Sequence, residues 1–409
     1  MVNVAIMGHG VVGSGVAEIL INYKERVSAK AKNEINVKYI LDLRDFDSLP
    51  YSDKFIKDFN IILNDPEVQV VVEVMGGCTF AYDYVKACLL AGKSVCSSNK
   101  ALVAQKGAEL LQIASDKNVN FLFEASVGGG IPVLRPMAQC LTANEITEVT
   151  GILNGTTNFI LTKMVNENMD FDTALKIAQE LGYAEKDPTA DIEGLDACRK
   201  ICILASLGFG KHVYPSDVKA EGITKITLRD VEIADRLGYV IKLIGRTRKL
   251  DNSQITAAVY PALVSRQNML SGVNDVFNAI MVRGDEVGDV MFYGRGAGKF
   301  PTASAVVGDV IDCVKHLTAR KYLFWEDTSK DYVADHESDV TKLYVRVKCD
   351  NIIEAENEIN NLFHEVNLIK DASQNEIAFI TEIEIESELR KQLSLLTKSE
   401  TISILHAID

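Results

Sequence analysis

Short, continuous apolar runs alternate with longer amphipathic stretches along the first third of the chain. VNVAIM at 2–7 has the all-apolar character of a strand buried on both faces of a parallel sheet. GVAEILINYKER reads as the helix that follows it. VKYILDLRD at 37–45 and VQVVVEVMGG at 68–77 are the next strands, and TFAYDYVKACLLAGKSV gives a helix and a turn. VCSSNKALVAQKGAELLQIASDKN adds strand, loop and helix, and VNFLFEASVGGGIP a further strand and loop. Such alternation predicts an α/β domain, a doubly wound parallel sheet over residues 1–130.

After Pro132 the pattern changes. VLRPMAQCLTANEI reads as a helix and turn, and ITEVTGILNGTTNFILTKM as a strand, a loop and a helix capped by Thr156, Thr157 or Asn158. Helices at 171–181 and 193–208 follow. From 254, QITAAVYPALV, DVFNAIMVRG and EVGDVMFYG alternate partially, with Gly284 marking a turn before the third. They predict an antiparallel or mixed sheet, the scaffold of an α+β domain over 131–301 and of a dimer contact. A helix within about 302–320, ASAVVGDVIDCVKHL, is expected to return to the first domain. Residues 325–340 are polar and read as a linker. TKLYVRVKCD, NIIEAENEINNLF, IAFITEIEI, ESELRKQLSLLTKS and TISILHA then make a small α+β domain at 341–409.

Three places carry chemistry. Gly8, Gly10 and Gly13 have the G-x-G-x-x-G spacing between a strand and a helix, the context a dinucleotide fingerprint requires. Gly8 serves a tight turn, Gly10 lets the backbone approach a pyrophosphate, and Gly13 lets helix and strand pack closely. Asp42, ending the second strand, suits the ribose hydroxyls of NAD; Arg44, two residues on, suits the 2′-phosphate of NADP, with the acid tilting the reading toward NAD. Lys100 is a cation at the carboxyl edge of the sheet, where cofactor and substrate meet. Asp196 and Lys200 are four apart, so a helix anchored by Leu195, Ile201, Leu204 and Leu207 presents both on one face. Most such pairs are plain surface ion pairs. Gly182 is placed to end the preceding helix.

The stretch through Ala178, Gly182, Tyr183, Ala184, Asp187, Pro188, Asp191, Ile192, Gly194, Asp196 and Lys200 resembles the signature A-x-x-x-G-Y-A-x-x-D-P-x-x-D-I-x-G-x-D-x-x-x-K of the homoserine dehydrogenases. GILNGTTNFIL, the NKAL at Asn99–Leu102 and GRGAGKFPTAS at 294–304 resemble further segments of that family, so the likeness covers nearly all of residues 1–320. It implies reversible oxidation of L-homoserine to L-aspartate 4-semialdehyde with NAD or NADP. Lys200 matches the family's acid/base lysine and Lys100 the lysine of the nicotinamide region, with Asp196 beside them. Glu185 and Asp196 match substrate-binding residues, and Asp191 supports them. The cofactor contacts implied are Gly8, Gly10, Val11, Val12, Gly13, Asp42, Arg44, Gly76, Lys100, Gly182, Gly296 and Gly298. A sodium or potassium site is implied at Glu124 with the carbonyls of Val127, Gly129 and Ile131, oxygen ligands that suit a hard cation. The C-terminal segment resembles an ACT domain, whose effector loop would be Cys349–Ile353; that loop lacks the usual Pro-Gly. An amino-acid effector and a structural or dimerising appendage are both open there. A homodimer or homotetramer is expected.

Charge and composition trim the alternatives. A net charge of −14 argues against a nucleic-acid partner. No apolar run approaches the roughly 20 residues of a membrane span. The N-terminus enters a strand directly, and the eight cysteines form no CxxC pairs, so a reduced, cytoplasmic protein is expected. The six histidines have no ligand spacing. Two rivals stand beside the enzyme reading: another amino- or hydroxy-acid dehydrogenase of the same fold, and a non-catalytic NAD(P) sensor. A sensor would not need Lys100, Glu185, Asp196 and Lys200 together.

Overall fold

The computed structural model describes residues 1–251, 253–319, 323–328, 331–364 and 366–409. The chain divides into two units. One comprises residues 1–146, 202–215 and 282–329; the other comprises 147–201, 216–281 and 330–409.

In the first unit the apolar runs become the strands β1 (Val2–Met7), β2 (Ile35–Leu41), β3 (Phe55–Ile56), β4 (Val68–Glu73), β5 (Ser94–Ser97) and β6 (Phe121–Leu122). They form one parallel sheet in the order β3-β2-β1-β4-β5-β6, so the winding reverses between β1 and β4. The carboxyl end of such a reversal is where a ligand crevice opens. β1 is buried along its whole length, which is why its residues are apolar on both faces. The returning helix begins earlier than expected, at Lys299, and runs to Lys315. It packs on the helix Val11–Asn22: Lys299 pairs with Glu18 at 2.7 Å, and a Cβ on Gly15 would lie 3.0 Å from that of Ala303. The far end of the expected helix, at 320, lies outside the described residues.

The second unit holds β7 (Ile146–Ile152), β8 (Lys219–Ala220), β9 (Tyr239–Lys249), β10 (Ile255–Ser265) and β11 (Phe277–Gly284); β12 (Gly288–Arg295) comes next and counts with the first unit. β13 (Val340–Cys349), β14 (Asn367–Asp371), β15 (Glu376–Ile380), β16 (Glu384–Ile385) and β17 (Ser399–Ile408) complete it. The sheet runs β11-β7-β9-β10-β17-β13-β15-β14. It is mixed: β9 and β10 are antiparallel, whereas β17 runs parallel to β10 through Ala262↔His406 to Val264↔Ile408. β9 has no counterpart in the strand reading above; its buried Lys242 and its paired Arg246 break the apolar pattern. β14 is likewise additional, and it gives the last segment the order β-α-β-β-α-β, with β16 a short extra pairing.

Residues 325–340 are not uniformly solvated. Trp325 is fully buried, and its indole N–H donates to His212 Nδ1 at 2.8 Å. Residues 329–330 of that stretch lie outside the described residues. The C-terminal segment has its own core of Leu343, Val345, Val347, Ile359, Phe363 and Phe379. Ion pairs bind it to the rest of its unit, among them Arg346 to Asp230 at 3.1 Å, and Arg229 to Asp371 at 2.5 Å and to Glu376 at 3.0 Å. His336, Glu337 and Glu386 offer ligand atoms within 4.8 Å of one another, but Arg390 already neutralises both glutamates at 3.2 and 2.6 Å. Six of the eight cysteines are buried, and none is in a disulfide. Among the described residues no helix is long and apolar enough to cross a membrane.

Candidate active site

The glycine turn is built as its spacing requires. Gly8 has φ +99°, a conformation L side chains rarely adopt. A Cβ on Gly13 would lie 2.0 Å from the carbonyl oxygen of Gly8, so helix and turn can meet only through glycine. A Cβ on Gly10 would meet nothing within 4 Å; the space above it is kept open. Val11 and Val12 start the helix Val11–Asn22 beside that space, Val11 largely exposed. A cleft of about 510 Å³ opens there, lined by Gly8, Gly10, Asp42, Arg44, Lys57, Val74, Gly76, Phe80 and Tyr84 among others.

Asp42 is committed. Its carboxylate accepts from the main-chain N–H of His9 at 2.8 Å, from that of Arg44 at 3.0 Å, and from the Arg44 guanidinium at 2.9–3.0 Å. The Arg44 bond and these backbone donors hold its carboxyl far below the usual range. Arg44 is thereby fixed at the cleft wall with an exposed guanidinium, which also donates to the carbonyl of His9.

Lys100 is the first residue of the helix Lys100–Asp116, and Asn99 caps that helix by accepting from Leu102 N–H at 3.1 Å. The Glu124 loop follows β6. The Glu124 carboxylate accepts three main-chain N–H groups, from Val133 (2.6 Å), Leu134 (2.8 Å) and Arg135 (2.8 Å). Its own N–H donates to Asp309, which Arg135 pairs at 2.5 Å. Burial, with the negative charge of Glu124 beside it, pushes the Asp309 carboxyl up to about 7. Gly129, with φ +57°, approaches Gly296 so closely that a Cβ would lie 2.3 Å from the Gly296 oxygen. Gly298, at φ +122°, leads into the helix Lys299–Lys315. The donor set of one carboxylate and the carbonyls of Val127, Gly129 and Ile131 is all hard oxygen, the chemistry an alkali cation requires. Among the described residues no hydrogen bond reaches those three carbonyl oxygens.

In the second unit the sequence signature closes into a hydrogen-bonded cluster. The helix Leu195–Phe209 carries Asp196 and Lys200, both buried, with Asp196 Oδ2 and Lys200 Nζ 2.7 Å apart. Lys200 also donates to the carbonyl of Leu153 at 2.7 Å. Asn154 is the hub: its Nδ2 donates to Asp191 Oδ1 at 2.7 Å and to Asp196 Oδ2 at 2.9 Å. Its Oδ1 accepts from Thr157 N–H at 2.8 Å and so caps the helix Gly155–Glu167. This corrects the expected cap, which is Asn154 and none of Thr156, Thr157 and Asn158. Asn158 instead points its amide at the carbonyls of Val273, Asp275 and Phe277, and Thr156 donates to the carbonyl of Tyr183. Glu185 lies on the exposed loop after Gly182, which has φ +75° and ends the helix Phe171–Glu180 as predicted. A buried carboxylate–ammonium pair beside a second acid is suited to gripping a polar substrate and moving one proton.

A family model for homoserine dehydrogenase matches residues 132–311, and one for the homoserine dehydrogenase NAD-binding domain matches 8–124. A homoserine dehydrogenase of Synechocystis is 41% identical over 365 residues, covering 86% of this chain and 84% of its own. A crystal structure of a homoserine dehydrogenase from Thiobacillus denitrificans is 32% identical, covers 100% of this chain and 98% of its own, and superposes with a TM-score of 0.89. A hyperthermophilic archaeal homoserine dehydrogenase in complex with NADPH is 28% identical, covers 76% of this chain and 97% of its own, and has a TM-score of 0.64.

Proposed function

The chain belongs to the homoserine dehydrogenase family and is an NAD(P)-dependent oxidoreductase; from that premise we propose the division of labour among its residues. The reaction interconverts L-homoserine and L-aspartate 4-semialdehyde. The nicotinamide, when bound, supplies the hydride chemistry. The protein's own task is to hold the substrate and to move the hydroxyl proton.

The observation that carries the reading is the cluster of Lys200, Asp196, Asn154 and Asp191. Lys200, as the neutral amine, takes the hydroxyl proton in the oxidation and becomes the ammonium; as the ammonium it returns that proton in the reduction. Asp196 fixes the ammonium of Lys200, and with Glu185 it binds the polar groups of the substrate. Asp191, held by Asn154, supports Asp196. The Gly8–Gly13 turn with Val11 and Val12 takes the pyrophosphate, and Gly76, Lys100, Gly182, Gly296 and Gly298 complete the cofactor contacts. Arg44 and Lys57 in the same cleft support NADP over NAD, since the carboxylate of Asp42 is engaged in holding Arg44. This reverses the preference that Asp42 alone suggests.

A sodium or potassium ion at Glu124, Val127, Gly129 and Ile131 is part of the same reading. The β-α-β-β-α-β order after residue 340 supports an ACT-like module. Its first loop is spent on capping: Asn351 Oδ1 accepts from the N–H groups of Ile353 and Glu354 at 3.1 and 3.4 Å. An amino-acid effector such as threonine is therefore expected to act weakly there. The protein works as a homodimer or homotetramer in the cytoplasm.

The deciding experiment is homoserine-dependent reduction of NADP and of NAD at alkaline pH. Turnover with NADP at the lower KM is expected. No turnover with either would favour a sensor.

A further inference from the structure

Glu73 ends β4, a strand that is otherwise Val-Gln-Val-Val-Val, and it is completely buried. In the sheet it stands between Met7, the last residue before the glycine turn, and Ser97, the last residue of β5. A buried acid costs several kcal/mol unless its oxygens are satisfied. Oε2 accepts from Ser97 Oγ at 2.6 Å, and Oε1 accepts from the main-chain N–H of Met75 at 2.9 Å and from Asn99 Nδ2 at 3.5 Å. Ser97 Oγ accepts in turn from Asn99 N–H at 3.0 Å. Asn99 Nδ2 donates to the carbonyl of Gly77 at 2.5 Å, and its Oδ1 caps the helix that Lys100 begins.

The bonds therefore join two segments at the carboxyl end of the sheet. One is the Met75–Gly77 turn, whose Gly76 and Gly77 have φ +79° and +71° and carry no side chain to fix them. The other is Ser97–Lys100. All the groups donated to Glu73 are neutral, and burial pushes its carboxyl up from the usual range. Neither the apolar strand pattern nor the dinucleotide fingerprint calls for an acid here.

We propose that Glu73 is a positioning residue for the nicotinamide half of the site: it locks the Gly76–Gly77 turn and the start of the Lys100 helix into one frame, and so sets where Lys100 stands. The inference rests on the reading that Lys100 and Gly76 contact the cofactor. Glu73 itself touches no reacting group. A misplacement of about 1 Å in such a frame costs up to roughly 100-fold in rate.

The test is a double-mutant cycle on the full-length enzyme with NADP and homoserine. Glu73→Gln keeps the shape but turns an NH₂ toward donors. Ser97→Ala removes one strut and guards against a Glu73→Gln protein that fails to fold. Lys100→Ala is the reference. We expect Glu73→Gln and Ser97→Ala each to raise the cofactor KM and lower kcat, by roughly 10-fold or more for Glu73→Gln, with the homoserine KM little changed. On the Lys100→Ala background most of that loss should vanish. Purely structural behaviour, a lower melting temperature with unchanged kcat and cofactor KM well below it, would overturn the inference. So would losses that simply add to those of Lys100→Ala. If Lys100→Ala itself leaves kcat and cofactor KM untouched, the assignment of Lys100 falls, and the inference with it.

Discussion

The ammonium of Lys200 lies 2.7 Å from the main-chain oxygen of Leu153, a residue 47 positions earlier and the first one past β7. The helix Leu195–Phe209 is thus stitched to the strand end that also presents Asn154. Lys200→Met keeps the apolar stem and deletes the amine. It should lower kcat by about 10²–10⁴ while NADP binding, followed by fluorescence titration, stays within twofold. Near-wild-type turnover would remove Lys200 from the proton path.

Asn154 has two functions that different substitutions separate. Asn154→Ala loses the helix cap, worth about 1 kcal/mol, and also the tie between Asp191 and Asp196. Asn154→Asp restores a cap but offers no amide donor and adds a third acid. The melting temperature should recover in the Asp variant, whereas kcat/KM for homoserine should remain roughly 10-fold or more down in both. Recovery of both together would make Asn154 a cap only.

The glycine turn supplies a matched pair. Gly13→Ala places a methyl 2.0 Å from the Gly8 oxygen, so the turn must move and the fold should be destabilised. The Cβ that Gly10→Val adds meets no protein atom within 4 Å. It should fold and melt like the wild type yet bind NAD and NADP poorly. Calorimetry alongside cofactor titration separates the two, and unchanged affinity in the Gly10 variant would count against a pyrophosphate there.

What the sequence made legible was local. The strand–glycine–helix run, Gly182 ending its helix, and the shared face of Asp196 and Lys200 each follow from spacing within a turn or two. The cap falls on Asn154, a few residues from the expected ones, because four polar side chains, Asn154, Thr156, Thr157 and Asn158, could each cap a helix, and only backbone geometry selects one. Glu73 is hidden by its setting, since one acid inside the apolar run 68–77 gives no sign of the bonds that hold it. The β10–β17 pairing had no local signal at all, because a parallel register between distant strands leaves no turn in the sequence.

That pairing reverses an expectation. A polar stretch at 325–340 suggests that residues 340–409 could be removed without harm. Removal would uncover β10 at Ala262–Val264, strip Arg346 from buried Asp230, and release Arg229 from Asp371 and Glu376. A chain cut before residue 340 should be poorly soluble or melt well below the full-length protein. A stable, active truncation would refute this.

Acid should weaken the protein through Glu386. Burial works against its charge, but His406 at 3.0 Å and Arg390 at 2.6 Å outweigh that and hold its carboxyl down at about 2. The folded value lies below the ordinary 4.5, so its stabilisation is complete above that pH and is lost as pH falls toward 2. The shift corresponds to about 3 kcal/mol. Glu386→Gln should narrow the stability gap to wild type steadily between pH 5 and pH 2 in urea melts, and a gap independent of pH would contradict the assignment.

The first unit's sheet is written into the chain by residue 122, yet the helix that covers Val11–Asn22 arrives only at Lys299–Lys315. During synthesis the nascent sheet must wait, one apolar flank uncovered, while the whole intervening segment emerges. High contact order of this kind slows folding and lengthens exposure to aggregation. Dependence on chaperones at the ribosome, and a refolding yield that falls steeply with protein concentration, are the behaviour expected of this topology.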